Sequence, residues 1–214
     1  MTDTSLPVVE LVVRTIATTA VKNEQRFCDL DSISGDGDFG YSLARGFEKV
    51  LEEFDTLDRA AIGPFLKKVG VIVTSRCGGT SGPLWGTAFL RAGTVAGDRL
   101  ALEPRDAVAM LRASFEGIQK RGGAALGEKT LLDVLGPMTD RLESALAARP
   151  GNIRAAFAKA AETAESAAAA TADLVAKRGR AAYTGERSRG APDAGGTAIA
   201  IIAREVSAAF QPAG

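Results

Sequence analysis

Apolar side chains recur three and four positions apart along most of the chain, which is the spacing of one face of an α-helix. No stretch alternates between apolar and polar residues as a half-buried strand would, and we find no internal repeat or linker. The pattern predicts helices over approximately residues 7–26, 41–54, 62–76, 84–90, 104–118, 131–148, 153–176 and 197–210. Within the sixth of these, Gly136-Pro137 predicts a kink or a break.

This pattern predicts an all-α fold, a bundle of about eight antiparallel up-and-down helices in one domain that spans residues 1–214. If sequential helices alternate in direction, the connections after the first, third, fifth and seventh helices lie at one end. Those four connections carry the glycines and the charged residues, whereas the connections at 55–61, 98–103 and 149–151 are plain. We therefore expect one site, built at one end of the bundle.

Composition narrows the class of protein further. The 214 residues include 26 basic and 26 acidic side chains, a balance that argues against a broad nucleic-acid or membrane-surface role. The chain contains no histidine, which excludes a phosphohistidine, a histidine general base and a Ser-His-Asp triad. Neither a signal peptide nor an apolar run of roughly 20 residues is recognisable, and the two cysteines lack metal-ligand spacing. A cytoplasmic location is expected.

The most informative stretch is Leu30-Asp31-Ser32-Ile33-Ser34-Gly35-Asp36-Gly37-Asp38-Phe39-Gly40. Its three aspartates repel one another unless a cation neutralises them, and its glycines allow a tight turn. Oxygen ligands without histidine or cysteine suit Mg²⁺ or Ca²⁺ rather than zinc. The alternative is a solvated turn, since Gly and Asp are ordinary turn residues.

Two similar motifs do not fit this stretch. Gly35-x-Gly37-x-x-Gly40 has the spacing of a dinucleotide-binding loop, but no strand precedes it and its aspartates would face the phosphates. An EF-hand that began at Asp36 would place Tyr41 where glycine is required.

Two more connections suggest contact with an anion, each with an alternative. Gly78-Gly79-Thr80-Ser81-Gly82 precedes a helix and could bind phosphate through backbone N–H groups, or Thr80 or Ser81 could simply cap that helix. Gly127-Glu128-Lys129-Thr130 is not a P-loop, because Glu128 breaks the required order, and Thr130 is expected to cap the next helix.

The connection at 177–196 is rich in glycine and arginine. Its four arginines are either a solvated face or, opposite the aspartates, a means of neutralising phosphoryl charge. Asp193-Ala194-Gly195-Gly196 leads into the last helix and could close a pocket with backbone groups.

Taken together, the motifs resemble those of the nucleotide-binding L subunits of dihydroxyacetone kinases. The residues that carry the resemblance are Asp31 with Gly35-Asp36-Gly37-Asp38-x-Gly40, Gly78-Gly79-Thr80-Ser81-Gly82-Pro83-Leu84-x-Gly86-Thr87, Gly127-Glu128-Lys129-Thr130 and Gly179-Arg180-Ala181-x-Tyr183-x-Gly185-Glu186-Arg187-Ser188. The likeness runs nearly end to end and in order, and it implies a barrel of eight antiparallel helices with the nucleotide at one end.

The resemblance also implies a site. Asp31, Asp36 and Asp38 would hold two Mg²⁺ ions that bridge the phosphates of ADP or ATP, and Arg180 would offset charge on the transferring group. The residues implied to line the nucleotide are Phe39, Gly40, Tyr41, Ser42, Thr80, Ser81, Gly122, Leu131, Arg180, Asp193, Ala194 and Gly195. The implied reaction is phosphoryl transfer to a short ketose held by a separate K subunit.

Two positions depart from the family's usual pattern. Phe39 stands where the phosphotransferase-system type usually has histidine, and Asp193-Ala194-Gly195 replaces a common Asp-Pro-Gly turn. The departures leave two phosphoryl donors open, free ATP or a phosphohistidine protein that recharges bound ADP. The acceptor ketose and a homodimer are also left open, and neither nucleic acid nor a membrane is an expected partner. The competing functional hypothesis is a non-catalytic regulatory module that uses nucleotide occupancy to engage a transcription factor or an enzyme.

Overall fold

Every regular element between residues 4 and 210, the part of the chain that the computed structural model describes, is helical. The α-helices in this part are α1 (Leu6–Lys22), α2 (Glu24–Asp31), α3 (Phe39–Glu53), α4 (Ile62–Arg76), α5 (Ser81–Ala96), α6 (Pro104–Gly122), α7 (Leu132–Ala148), α8 (Ile153–Ala170) and α9 (Ala194–Ala209). Short 3₁₀ turns cover Phe54–Thr56, Thr171–Asp173 and Arg180–Ser188. The prediction of an all-α fold is confirmed.

The helices form a closed ring. From α3 to α9 each helix packs against the next one in the chain, and α9 returns to α1, which in turn packs against α3. Large apolar side chains from all sides face the axis of this ring, among them Trp85, Phe89, Met138 and Phe157. They line an apolar cavity of about 800 Å³. The ring is a barrel, and its wall supports the connections at both ends.

The backbones of α4 and α5 approach each other closely, because glycines of the two helices face one another. Gly63 and Gly70 are seven residues apart on α4, as are Gly86 and Gly93 on α5, so each pair lies on one helix face. A Cβ atom on Gly70 would lie 2.8 Å from the carbonyl oxygen of Gly86, and one on Gly93 would lie 2.7 Å from that of Gly63. Only hydrogen in place of a side chain allows the two backbones to approach this closely.

The first predicted helix, over residues 7–26, is wrong in its extent. The structure divides this region into α1 and α2 at Asn23, whose side-chain amide and backbone N–H both donate to the carbonyl of Thr19. Asparagine competes for backbone groups in this way and interrupts helices. Helix then resumes and ends at Asp31, so this aspartate belongs to a helix end rather than to the loop.

Three further predictions about helix bounds need correction. The last helix begins at Ala194 instead of residue 197, because the Asp193 carboxylate accepts a hydrogen bond from the N–H of Gly196 and caps the helix there. The helix predicted over 153–176 ends at Ala170 and gives way to a 3₁₀ turn. The predicted break at Pro137 does not occur, since α7 continues through this residue, and the alternative of a kink stays a prediction.

Contacts between connections define the two ends of the barrel. At one end, the 97–103 connection meets the starts of α1 and α4, where Ser5 N–H donates to Leu100 and Gly63 N–H donates to Gly97. The four connections that are rich in glycine and charge meet at the other end. Across residues 4–210, no helix combines the length and the apolar character needed to cross a bilayer.

Candidate functional site

Three aspartates converge at the mouth of the barrel, between α2 and α3. Asp31 is the last residue of α2, Asp36 lies in the connection, and Asp38 occupies the N-cap position of α3. One carboxylate oxygen from each lies within 4.8 Å of the others. Asp36 and Asp38 are exposed and Asp31 is half-buried, so the cluster opens to solvent and can accept a ligand from outside.

Glycines make this convergence sterically possible. A Cβ atom on Gly35 would lie 2.3 Å from Oδ1 of Asp31, so any side chain there would displace the carboxylate. Gly40 packs the start of α3 against α2, where a Cβ atom would lie 2.0 Å from the carbonyl oxygen of Glu24. The N–H of Phe39 donates to Oδ2 of Asp31 at 3.4 Å, which ties the start of α3 to the first aspartate.

Arg180 approaches the aspartates from the 171–193 connection. Its Nη1 atom donates to Oδ2 of Asp38 at 3.0 Å and also forms an ion pair with Asp36. Asp38 is exposed, but nearby protein atoms displace part of the water around its carboxyl group, and this loss of hydration, followed by the negative charge of Asp31, raises the pKa of Asp38. The site therefore concentrates negative charge that a single guanidinium offsets only in part.

The glycine turn before α5 lies on the same mouth. A Cβ atom on Gly79 would lie 3.8 Å from Nη2 of Arg180, and one on Gly78 would lie 2.9 Å from the hydroxyl of Ser42. Thr80 occupies the N-cap position of α5, yet its side chain makes no capping hydrogen bond. The capping role considered for Thr80 is thus absent from this structure, and its exposed hydroxyl stands at the edge of the site.

The start of α9 completes the ring of connections. A Cβ atom on Gly195 would lie 3.4 Å from the Cβ atom of Leu131, which brings the Asp193-Ala194-Gly195 turn against the start of α7. Burial raises the pKa of Asp193 to about 6, and the charges of Asp133 and Asp31 contribute to the rise. Gly122, the last residue of α6, is exposed and lies beside Leu84 of α5.

Not every predicted site residue directs its side chain into the mouth. The ring of Phe39 packs against Phe27, with ring centres 5.9 Å apart, so this residue offers the site its backbone. Tyr41 is exposed, and the guanidinium of Arg45 lies 5.0 Å from its ring centre. The side chain of Leu131 is buried and forms part of the floor.

Three side chains near the site make contacts that the sequence did not indicate. Asp133 accepts hydrogen bonds from the N–H groups of Gly127 and Thr130, at 2.5 and 2.7 Å, and so shapes the α6–α7 connection. The spacing Thr130-x-x-Asp133 is that of a capping box, a signal that could have identified it. Glu128, which pairs with Arg178, and the buried Lys129 gave no comparable signal.

Residues 33–208 match the DAK2 domain family. This match covers most of the chain. The chain belongs to the DAK2 domain family.

Relatives of this DAK2 domain include both subunits and longer enzymes. It is 38% identical over 173 residues to the ADP-binding subunit DhaL of the PEP-dependent dihydroxyacetone kinase of Escherichia coli, covering 81% of this chain and 82% of that one. It is 37% identical over 186 residues to a D-erythrulose kinase of Mycolicibacterium smegmatis, covering 86% of this chain but only 32% of the kinase. The domain thus spans about a third of the longer relative.

Solved structures show the same architecture. The DAK2 domain superposes on the dihydroxyacetone kinase of C. freundii with a TM-score of 0.74 and 24% identity, over 94% of this chain and 34% of that one. For the complex of that enzyme with AMP-PNP and Mg²⁺, the TM-score is 0.73 at 22% identity, with the same coverage. At this level of identity the likeness establishes the fold. The barrel of eight helices that the resemblance implies agrees with it, since the ring consists of α1 and α3 to α9.

Proposed function

We propose that this DAK2 domain is the nucleotide-binding subunit of a short-ketose kinase and transfers a phosphoryl group from Mg-bound ATP to a sugar held by a separate K subunit. The single observation that carries the proposal is the convergence of the Asp31, Asp36 and Asp38 carboxylates beside Arg180. The relative from Escherichia coli, named as an ADP-binding subunit and matched over most of its length, supports it. The proposal treats residues 1–214 as one domain.

The aspartate cluster fits magnesium. All of its donors are carboxylate oxygens, the ligand type that a hard divalent cation prefers, and no histidine exists in the chain. The raised pKa of Asp38 reflects loss of hydration and repulsion from Asp31, and a bound cation would relieve that repulsion. Asp31, Asp36 and Asp38 would hold two ions, which would offset charge on the phosphates when bound.

The nucleotide would lie across the mouth, in contact with all four connections. The start of α3 would supply backbone groups from Phe39 to Ser42, and the start of α5 would supply Thr80 and Ser81 beside the free N–H groups of a helix N-terminus. The other lining residues would be Gly122, Leu131, Asp193, Ala194 and Gly195. Because Phe39 packs on Phe27, any contact it makes would be through its backbone.

Catalysis would depend on position and charge rather than on a covalent intermediate with this chain. Arg180, now paired with Asp36 and Asp38, would turn toward the transferring group and neutralise charge as it develops. The helix-end connections would hold the phosphates in line with the acceptor. A general base and the acceptor hydroxyl would come from the partner, since this chain holds no sugar in the proposed mechanism.

The surface around the mouth suits a protein partner. Four large side chains around it are exposed: Ile33 and Tyr41 in or beside the connection between α2 and α3, Leu126 between α6 and α7, and Tyr183 between α8 and α9. Tyr183, at 90% exposed, has almost no cover in this chain. Exposed aromatic residues are typical of interfaces. The longer D-erythrulose kinase, of which this chain matches 32%, has room for a substrate-binding part in the same polypeptide.

A regulatory, non-catalytic module is the second candidate. It would bind nucleotide at the same mouth and use occupancy to engage a transcription factor or an enzyme. The complete set of three aspartates favours catalysis, because a module that only binds nucleotide has no need of two metal ions. A cytoplasmic location stays a prediction.

A coupled assay tests the proposal. The purified chain would be combined with a K-type subunit, Mg²⁺ and either dihydroxyacetone or erythrulose, with ATP in one arm and a phosphohistidine protein plus ADP in the other. Turnover of a ketose in either arm is the expected result, and the productive arm identifies the donor. Nucleotide binding without turnover in both arms would favour the regulatory module.

A further inference from the structure

Lys129 is a charged residue in the interior of the protein. It is 4% exposed, and its ammonium group donates to the carbonyl oxygens of Leu174, Ser188 and Ala191 at 3.2, 2.5 and 2.7 Å. An ammonium has three N–H donors, and all three are used. Burial lowers the pKa of Lys129, and the charge of Asp193 opposes that shift.

The backbone at Lys129 adopts a conformation that a lysine rarely takes. Its φ angle is +60°, and no other non-glycine residue between 4 and 210 has a positive φ. Such strain persists where the surrounding structure requires it. Here the strained turn directs the side chain away from the α6–α7 connection and into the 171–193 connection.

The three carbonyls lie on both flanks of Arg180. Leu174 precedes it, and Ser188 and Ala191 follow it, so the ammonium group holds the two ends of the segment 174–191 together. Where the two ends meet, the hydroxyl of Ser188 accepts a hydrogen bond from the N–H of Ala176 at 2.9 Å and donates one to the carbonyl of Gly185 at 2.6 Å. Arg180 projects from the closed segment toward Asp38.

We infer that Lys129 is a positioning residue, whose buried ammonium holds the segment 174–191 so that Arg180 faces the aspartates and the phosphates of the nucleotide. The inference rests on the proposed function, because the proposed function is what gives Arg180 a role at the phosphates. Lys129 itself is buried, and its ammonium group donates hydrogen bonds only to backbone carbonyls. Its influence on the nucleotide must therefore pass through Arg180 and its neighbours.

The neighbouring pair between Glu128 and Arg178 cannot replace this anchor. It joins the same two connections, with Nε of Arg178 2.6 Å from Oε2 of Glu128, but Arg178 is exposed and lies only two residues before Arg180. Exposed pairs of this kind contribute little. Of Arg178, Glu128 and Lys129, Lys129 is the one that binds the far end of the segment, at Ser188 and Ala191.

Two variants and one control test the inference. Lys129→Met keeps the length of the side chain and removes its three donors, while Lys68→Met alters an exposed lysine on α4. The first readout is native trypsin cleavage after Lys177, Arg178, Arg180, Arg187 and Arg189, which needs no nucleotide. We expect faster cleavage there for Lys129→Met only. Ser188→Ala is a milder change, which removes the hydroxyl that links the two ends of the segment. If Lys129→Met does not fold, Ser188→Ala should still show faster cleavage at these sites.

The second readout is the dissociation constant of MgADP. We expect Lys129→Met to weaken MgADP binding about tenfold or more. The three carbonyls would lose their hydrogen-bond donor, and because a buried carbonyl without a partner is unfavourable, the segment would open. In a double-mutant cycle, the MgADP dissociation constant of Lys129→Met with Arg180→Met should lie within about twofold of that of Arg180→Met alone, because both changes remove the same contribution of Arg180 to binding. Mn²⁺ binding to the aspartates without nucleotide should not weaken, because Lys129→Met leaves all three carboxylates in place and can only release the guanidinium that pairs with two of them.

The outcomes separate the inference from the proposed function. Unchanged cleavage in Lys129→Met, unchanged MgADP affinity, or effects that add to those of Arg180→Met would overturn the inference. Failure of the wild-type chain to bind MgADP would instead reject the proposed function, and the cleavage rates would still decide whether Lys129 holds the segment.

Discussion

Asp193 caps α9 with its carboxyl group, which lies in surroundings that disfavour its negative charge. It accepts from the N–H of Gly196 at 2.6 Å, which favours the charged form, but burial and the charges of Asp133 and Asp31 outweigh this. The result is a pKa of about 6 in the folded chain, against 3.8 as its ordinary value. The folded state therefore binds a proton more readily than the unfolded state between these two values.

This shift gives a pH dependence of stability with a defined sign. Because the folded chain binds more protons between about pH 4 and 6, the contribution of Asp193 to the free energy of unfolding falls as pH rises through that window. The loss is up to about 3 kcal/mol and is complete above pH 6. Urea unfolding of the wild type and Asp193→Asn at pH 4 to 7 measures it as a difference.

We expect the asparagine variant to gain stability relative to the wild type as pH rises from 4 to 6, and then to hold that gain. A difference between the two proteins that is constant across this range would contradict the account of Asp193. Other carboxylates titrate in the same window, and the subtraction removes their shared contribution.

At the scale of single residues, the sequence predicted some of the site and missed the rest for a clear reason. Asp31, Asp36 and Asp38 are close in sequence, so their spacing with glycines already indicated a cluster. Lys129 meets its partners 45 to 62 residues further along the chain, and only the fold brings them together. The ring of Phe39, which packs on Phe27, likewise depends on how α2 meets α3.

At the scale of helices, the contact between α4 and α5 depends on glycine. Alanine normally favours a helix over glycine by about 1 kcal/mol, so replacement of a helical glycine should stabilise the chain where space allows. At Gly93 space does not allow it, since the added Cβ atom would lie 2.7 Å from the carbonyl oxygen of Gly63. Backbone atoms cannot rotate away as a flexible side chain can.

We therefore expect Gly93→Ala to lower the free energy of unfolding by about 1–2 kcal/mol in spite of its higher helix propensity. Gly151→Ala, in the turn before α8, is the control for a glycine replacement without a steric clash, because an added Cβ atom there has nothing within 4 Å. Urea denaturation at neutral pH compares the two. Equal or greater stability in Gly93→Ala would mean that the two helices can separate without cost.

Helix existence was predictable from the sequence, but several helix ends were not. Apolar residues at helical spacing identified each long helix, because one face of every helix packs toward the barrel axis. The ends depend on individual side chains, as with Asn23, which separates α1 from α2, and Asp193, which starts α9 early. The glycine spacing on α4 and α5 was visible in the sequence, yet its meaning required the two helices to be neighbours.

At the scale of the whole molecule, the closed ring explains why four connections distant in sequence meet at one end of the barrel. Helices that alternate in direction place every second connection at the same end, and closure by α9 against α1 brings the last connection back beside the first. Arg180 and Asp38 are 142 residues apart in the chain and still form an ion pair. The alternation of plain and glycine-rich connections predicted this arrangement correctly.

The measurement that tests the central claim most directly is isothermal calorimetry of ADP binding with and without Mg²⁺. The proteins would be the wild type, Asp36→Asn and Asp38→Asn, with Asp98→Asn, an exposed aspartate at the opposite end, as the control. We expect Mg-dependent binding in the wild type and the control, and loss of at least about a hundredfold in affinity in the two site variants, with unchanged helicity. Wild-type affinity for MgADP in either site variant would contradict the claim that these carboxylates gather the metal that binds the nucleotide.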